Sequence, residues 1–302
     1  MHTVEVSQIA KSFGETHAVV DVSFDVEKGE IFGLLGPNGA GKTTTIRMML
    51  DIFKPDHGSI SILGGKMDDT KKERIGYMPE ERGLYQEIPL EQCLVYMGRL
   101  KGLTSGDVHA RLPGLLERFD LAAHKKKKLK ELSKGMQQKA QIIATIMHNP
   151  ELLIIDEPFT ALDPVNTQLV KDLMRELQAG GTTVIMCTHQ MNQVEELCDR
   201  ILLIDLGRVV LYGELAEIQK SFTGNAVKVR TGSALQALPG VTEVKKVNGS
   251  EYTLALADGT TPNQILKTLL DGNIELDSFE IAVPTLDEIF IQVVGKKNQA
   301  VL

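Results

Sequence analysis

The most informative segment of this chain is Gly36-Pro37-Asn38-Gly39-Ala40-Gly41-Lys42-Thr43. It matches the pattern G-x-x-x-x-G-K-[ST] in full, in which glycines let backbone N–H groups approach phosphate closely. A short apolar stretch, 31–35, precedes it, and apolar residues at helical spacing follow it. This order of strand, loop and helix predicts a P-loop. Lys42 would reach the β- and γ-phosphates of a nucleotide, and the Thr43 hydroxyl would bind Mg²⁺.

A second candidate site lies at the end of another apolar stretch, 152–155, which runs into Asp156 and Glu157. A carboxylate at a strand end suits Mg²⁺, so Asp156 is the expected metal partner. Glu157 beside it can orient and deprotonate an attacking water. Alone, the two carboxylates could mark only the solvated end of a strand. Together with a P-loop they favour nucleotide hydrolysis.

The hydrophobic pattern indicates a mostly parallel α/β sheet. Residues 19–26 alternate between apolar and polar side chains, which predicts a half-exposed antiparallel strand. The stretches 31–35, 152–155 and 183–186 are apolar throughout, as in parallel strands buried on both faces. Residues 90–148 have helical patterning and almost no strand signal, which predicts a helical subdomain inserted in the α/β domain. Pro113-Gly114 interrupts the pattern, so at least two helices are expected before Ser133.

A compositional break at 221–225 predicts two domains, 1–220 and 221–302, with a hinge at the break. Beyond it, alternating strands and capped helices follow the order βαββαβα. A strand is expected to open at Ile274 and Leu276, and Gly295 is expected to end the last helix. This order predicts a small α+β ferredoxin-like domain.

Composition bounds the function. The 302 residues carry 33 Lys and Arg against 40 Asp and Glu, a net charge of −7, which argues weakly against a nucleic-acid partner. The three cysteines have no zinc or C-x-x-C spacing and predict reduced cytosolic thiols. The sequence shows neither a signal peptide nor an apolar run long enough to span a bilayer, so a membrane would be reached through a partner.

Further motifs follow the P-loop in order, and with them the chain resembles the ATP-binding subunits of ABC transporters over about residues 1–220. Leu132-Ser133-Lys134-Gly135-Met136 looks like the family's L-S-G-G-Q signature, and Ala161-Leu162-Asp163 resembles its D-loop. His189 matches the switch histidine, and Phe13 falls where the family places an aromatic ring against adenine. From the residues alone, Ser133 reads as a helix N-cap, His189 as an ordinary loop histidine and Phe13 as a core residue.

The resemblance implies an ABC ATPase fold of the P-loop NTPase class. Its parts are a mixed-sheet core, an antiparallel β subdomain and a helical subdomain. It also implies ATP and Mg²⁺ as ligands. The implied catalytic residues are Lys42, Glu157 and His189, and the implied metal ligands are Thr43, Glu80 and Asp156. The implied nucleotide contacts are Phe13, Gly36, Pro37, Asn38, Gly39, Ala40, Gly41, Lys42, Thr43, Thr44, Ser133, Gly135 and Asp163.

The chain departs from the family pattern in three places. Lys134 and Met136 replace a glycine and the glutamine of the signature, while Ser133 and Gly135 remain. Glu80 stands where the family's Q-loop has glutamine, and a carboxylate there can still bind Mg²⁺. That replacement puts in doubt how the loop reports the nucleotide state to the membrane partner.

Within the family, the chain looks most like export-type subunits, and bacterial sodium-export subunits are the nearest group. The resemblance implies a polytopic permease partner, a second cassette, and a peripheral location on the cytoplasmic face of the membrane. A homodimer of cassettes is expected, and a heterodimer stays open. Two alternatives stay open. One is a soluble ABC ATPase of DNA repair, chromosome maintenance or translation. The other is an ATP-sensing module without turnover.

Overall fold

The structure, a computed structural model, describes residues 2–81, 83–223 and 226–299. The chain divides into two compact units, Met1–Gly213 and Glu214–Leu302. The division falls before the boundary that the sequence predicts after residue 220, and that boundary stays a prediction. Gly224 and Asn225 of the predicted hinge lie outside the described residues.

The first unit alternates strands with helices. Its strands are β1 (His2–Phe13), β2 (Thr16–Glu27), β3 (Ile31–Leu35), β4 (His57–Ile62), β5 (Ile75–Met78), β6 (Leu152–Asp156), β7 (Thr183–Thr188), β8 (Arg200–Asp205) and β9 (Arg208–Glu214). Its helices are α1 (Lys42–Met49), α2 (Asp69–Glu73), α3 (Leu90–Leu100), α4 (Ser105–Arg118), α5 (Lys134–Ile146), α6 (Pro164–Ala179) and α7 (Met191–Leu197).

The core of the first unit is a six-stranded sheet in the order β5-β6-β7-β3-β8-β9. Strands β5, β6, β7, β3 and β8 pair in parallel. Every residue of β3, β6 and β7 is buried, which explains why these strands read as continuous apolar runs. A separate antiparallel sheet, β2-β1-β4, packs its buried face into the same hydrophobic core.

The predicted helical subdomain consists of α3, α4 and α5, with two short 3₁₀ turns before α5. The predicted break at Pro113-Gly114 is wrong, because both residues lie inside α4. The chain turns instead between α3 and α4, where Gly102 adopts a φ of +82°. Thr104 then starts α4 with a complete capping box, so local capping overrides the interior proline.

The second unit contains α8 (Leu215–Ser221), β10 (Ala226–Arg230), β11 (Val241–Asn248), β12 (Glu251–Leu256), α9 (Pro262–Asp271), β13 (Ser278–Ile281) and α10 (Leu286–Gln299). Its antiparallel sheet has the order β11-β12-β10-β13. The first and third strands of the unit, β10 and β12, are therefore central, as in ferredoxin-like domains. Alternate residues of β10 and β12 point into one cluster that α9 covers with Ile265 and Leu269.

Three expectations for the second unit are wrong in detail. Residues 231–240 form no helix, since this segment holds Gly232 and Pro239, although Leu235 and Leu238 still pack into the core. The last strand begins at Ser278 rather than at Ile274. Helix α10 runs past Gly295 to Gln299, because one glycine within an otherwise helical segment costs only about 1 kcal/mol.

Candidate functional site

The carboxyl ends of three neighbouring parallel strands form the candidate site. Strand β3 leads into the P-loop, β6 ends at Asp156, and β7 ends at Thr188. These strands are adjacent in the sheet as β6-β7-β3. Open parallel sheets bind their ligands beyond the carboxyl ends of the strands. The topology therefore brings the P-loop, the Asp156-Glu157 pair and His189 to one edge of the sheet.

Two glycines of the P-loop are required by the backbone geometry. Gly36 has a φ of +147° and Gly41 a φ of +105°, which other residues rarely adopt. A Cβ atom on Gly36 would lie 2.1 Å from the carbonyl oxygen of Ile204, and one on Gly41 would lie 2.4 Å from that of Ala18. Larger residues are thereby excluded, and the loop leads directly to the free N–H groups at the start of α1.

The Lys42 side chain reaches back to the start of the P-loop. Its Nζ donates hydrogen bonds to the carbonyl oxygens of Gly36 at 2.7 Å and Pro37 at 3.1 Å. The residue is buried, so its positive charge acts at short range in a poorly solvated position. The ammonium group can stabilise phosphates that bind to the loop.

Oxygen atoms that suit a hard cation meet beside the P-loop. The Thr43 hydroxyl donates a hydrogen bond to Asp156 Oδ2 at 3.3 Å. Burial raises the pKa of Asp156, and the negative charges of Glu80 and Glu157 raise it further. A cation would relieve this repulsion, and Mg²⁺ prefers carboxylate and hydroxyl oxygens. The residues present therefore fit Mg²⁺.

The Glu157 carboxylate is held by the end of β7. Its Oε2 accepts a hydrogen bond from the Thr188 hydroxyl at 3.0 Å. Its Oε1 accepts one from the His189 N–H at 3.0 Å and lies 2.6 Å from His189 Nδ1. Glu157 itself adopts a φ of +52°, which turns the chain sharply after β6. The carboxylate and the imidazole thus form a preorganised pair.

These groups share one cleft of about 550 Å³. Its lining residues are Thr16, His17, Ala18, Asn38, Gly39, Ala40, Gly41, Lys42, Thr43, Thr44, Glu80, Asp156, Glu157 and Leu206. Three predicted residues lie next to the lining residues. Gly36 and Pro37 accept hydrogen bonds from Lys42, and His189 is hydrogen-bonded to Glu157. Four other predicted residues, Phe13, Ser133, Gly135 and Asp163, are not among the lining residues.

The signature segment lies beside the D-loop of the same chain. Ser133 caps α5, and its hydroxyl accepts a hydrogen bond from the Met136 N–H at 3.2 Å. A Cβ atom on Gly135 would lie 3.0 Å from the carbonyl oxygen of Ala161. Asp163 caps α6 by accepting a hydrogen bond from the Asn166 N–H at 2.8 Å, and such bonds lower the pKa of its carboxyl group. Ser133 is exposed at the surface.

Phe13 ends β1 on the far side of a tight turn from Thr16, which lines the cleft. It is 45% exposed, so the expectation of a core residue is wrong. Its ring contacts the edge of Phe53 with centroids 5.3 Å apart. The Lys11 Nζ atom lies over the same ring, 5.7 Å from its centroid. The exposed part of the ring can stack on a base.

Sequence reasoning missed several residues of the site. Ala18 and Leu206 line the cleft, and the neighbouring Gly207 donates a backbone hydrogen bond to Ala40 at 2.9 Å. The Thr188 hydroxyl donates a hydrogen bond to the Glu157 carboxylate. These residues belong to no motif of their own, and only the fold shows that they meet.

Comparison with known proteins gives two family matches. Residues 19–160 match the family described as ABC transporter, and residues 213–294 match the ATP-binding protein DrrA1-3-like, C-terminal domain. The chain is also similar to the ABC transporter ATP-binding protein YhaQ of Bacillus subtilis (strain 168). The two are 39% identical over 294 residues, which are 96% of this chain and 98% of that protein. This chain belongs to the ABC transporter family. It is an ATP-binding subunit, and as such an ATPase that works with a membrane permease.

Two further similarities support the assignment of this chain as an ABC ATP-binding subunit. The chain is 33% identical to the Nod factor export ATP-binding protein I of Rhizobium sp. (strain N33), with 98% of each chain covered. A solved structure of an ATP-binding subunit of an ABC transporter is 34% identical with a TM-score of 0.69, covering 73% of this chain and 93% of that one. The predicted ABC ATPase fold is therefore confirmed. The similarities favour a transporter subunit over the soluble ABC ATPase and the ATP-sensing module.

Proposed function

We propose that this subunit powers an exporter by binding ATP between two copies of its first unit. The observation that carries the proposal is the meeting of the P-loop, Glu80, Asp156 and Glu157 in one cleft. Steady-state release of phosphate from Mg-ATP by the purified chain tests the proposal. Release no faster than that of a Lys42→Ala variant would contradict it.

The phosphates of ATP bind to the loop 36–43 and to Thr44, with Lys42 against the β- and γ-phosphates. The Phe13 ring stacks on adenine. Ser133 and Gly135 of a second copy approach the γ-phosphate from the side opposite the P-loop. Asp163 lies near the interface between the two copies. The exposure of Ser133 at the start of α5 supports this arrangement, because free N–H groups at a helix N-terminus favour negative charge.

Thr43, Asp156 and Glu80 hold Mg²⁺ together with the phosphates. A cation held there would supply positive charge beside the β- and γ-phosphates. Glu157 accepts a proton from the attacking water, and His189 fixes both the γ-phosphate and that water in line. The hydrogen bonds that hold Glu157 support this role, because a general base must keep its orientation.

The partners and the location follow from the family. A polytopic permease carries the cargo, and the two copies lie at the cytoplasmic face of the membrane. No helix in the described ranges 2–81, 83–223 and 226–299 is long and apolar enough to cross a membrane. Outward transport is supported by the relative named for Nod factor export.

Sodium is the cargo that the resemblance suggests, and sodium export stays a prediction. ATP-binding subunits do not themselves contact the cargo in this scheme, so the permease decides it. Uptake of labelled sodium into inverted vesicles that contain this subunit and its permease tests the assignment. Uptake that ATP does not increase would contradict it.

Glu80→Gln tests the metal site. The substitution keeps the size of the side chain and removes one negative charge next to Asp156. We expect the Mg²⁺ concentration for half-maximal ATPase activity to rise by roughly threefold to tenfold, since ligand charge sets cation affinity. Metal-free ATP binding should stay nearly unchanged. Glu81→Gln, the same change at the exposed neighbouring position, serves as control. Equal Mg²⁺ dependence in all three proteins would place Glu80 outside the metal site.

Truncation tests the predicted domains, 1–220 and 221–302. All proposed nucleotide contacts lie between Phe13 and His189, and the second unit has its own core. A chain that ends at Lys220 should therefore bind Mg-ATP with near-native affinity, measured by calorimetry. Limited proteolysis of the full chain should cut first near the boundary. Loss of ATP binding on truncation, or first cuts within 150–200, would make the second unit an integral part of the ATP-binding core.

A further inference from the structure

Two buried glutamines project from the same side of α5. Gln138 and Gln141 are three positions apart, so they lie one turn from each other on one helix face. They are 5% and 4% exposed. Buried amide N–H groups need hydrogen-bond acceptors, and the acceptors of the two Nε2 atoms lie in two different loops of the cleft.

Gln141 holds the segment that carries Glu80. Its Nε2 donates hydrogen bonds to the carbonyl oxygens of Pro79 at 2.9 Å and Glu81 at 3.3 Å. These are the two residues on either side of Glu80. The amide therefore fixes the backbone around the proposed metal ligand while leaving its carboxylate free to face the cleft.

Gln138 holds the turn that carries Glu157. Its Nε2 donates hydrogen bonds to the carbonyl oxygens of Pro158 at 3.2 Å and Glu157 at 3.4 Å. The same turn contains the positive φ of Glu157. A buried donor at this point stabilises a backbone conformation that most residues disfavour.

We propose that Gln141 and Gln138 are positioning residues with separate tasks, Gln141 for the metal ligand Glu80 and Gln138 for the base Glu157. The inference rests on the roles proposed above for those two carboxylates. Both glutamines belong to α5, which Ser133 caps, so a single helix connects the signature segment to both loops. Helix α5 thereby ties metal binding and water activation to the surface that meets the second copy.

The two tasks predict different kinetic defects. Without the Gln141 bonds, the Glu80 segment must be ordered by the cation, so the Mg²⁺ requirement rises while turnover at saturating Mg²⁺ stays near that of the parent. Without the Gln138 bonds, Glu157 loses its orientation, so turnover at saturating Mg²⁺ falls while the Mg²⁺ requirement stays the same. A helix that served only as packing would change both quantities together.

The test uses Gln141→Met and Gln138→Met in the full chain, because methionine keeps the length of the side chain and removes the donors. Phosphate release is measured against Mg²⁺ concentration at fixed ATP, and calorimetry measures the binding of Mg-ATP at the same Mg²⁺ concentrations. We expect Gln141→Met to raise the half-saturating Mg²⁺ concentration by about threefold to tenfold, the scale of one or two lost hydrogen bonds. Gln138→Met should lower turnover at saturating Mg²⁺ by about tenfold or more. The exposed Gln168→Met on α6 serves as control and should match the parent.

Glu80→Gln is measured alongside to separate two kinds of failure. If it raises the Mg²⁺ requirement and Gln141→Met does not, the positioning role of Gln141 is overturned while the metal role of Glu80 stands. If Glu80→Gln has no effect, the proposed metal role fails. Equal defects of both kinds in the two methionine variants would overturn the separate tasks. Should a methionine variant unfold in a thermal melt, the corresponding Gln→Asn variant replaces it, with the same expected direction.

Discussion

Glu157→Gln should lower ATP turnover by on the order of 100-fold or more while ATP binding stays intact. The amide cannot accept the proton of the attacking water. Its oxygen can still accept the hydrogen bond of Thr188 or of the His189 N–H, so the turn after β6 should keep its shape. The substitution therefore removes the base and little else.

Phosphate release at saturating Mg-ATP measures this effect, and calorimetry with ATP checks that binding survives. Glu5→Gln, the same chemical change at an exposed position of β1, is the matched control and should turn over like the parent. Turnover of Glu157→Gln within a few-fold of the control would remove Glu157 from the role of base.

Lys42→Ala should weaken ATP affinity itself, by roughly 10-fold to 100-fold. The ammonium group supplies charge-assisted hydrogen bonds to the β- and γ-phosphates, and each such bond contributes about 1.5–3 kcal/mol. The substitution also removes the two bonds that hold the carbonyl groups of Gly36 and Pro37. Both effects act on the loop that seats the nucleotide.

Calorimetric titration with ATP, in the absence of Mg²⁺ and then in its presence, measures the loss. Lys54→Ala controls for the removal of a lysine, because that side chain is exposed and pairs only with Asp51 among the groups described for it. Unchanged affinity in Lys42→Ala would contradict a P-loop that binds phosphate through this residue.

The core of the fold could be predicted because its signals are local. Strands β3, β6 and β7 are buried on both faces, so their sequences are apolar throughout, and the P-loop needs glycine where Gly36 and Gly41 turn the backbone. The cap at Ser133 was readable for the same reason, since a side chain that satisfies an N–H three residues later leaves a sequence signature.

Features that depend on distant contacts could not be predicted. Pro113 reads as a break, yet the capping box at Thr104 and the packing of α4 keep it helical. The predicted order βαββαβα places a helix after the first strand of the second unit, yet residues 231–240 form none, and two of their leucines pack into the core. The glutamines of α5 reach loops that lie far away in the chain, so no spacing in the sequence relates them to Glu80 or Glu157.

The molar mass of Glu157→Gln in Mg-ATP tests the sandwich of two copies most directly. Because hydrolysis is expected to reopen the sandwich, a variant that binds ATP without turnover should accumulate in the closed form. Size-exclusion chromatography with light scattering should then give about twice the 33.2 kDa of one chain in Mg-ATP, and the mass of one chain in Mg-ADP. A single-chain mass under both conditions, in protein that calorimetry shows to be loaded with ATP, would contradict the account.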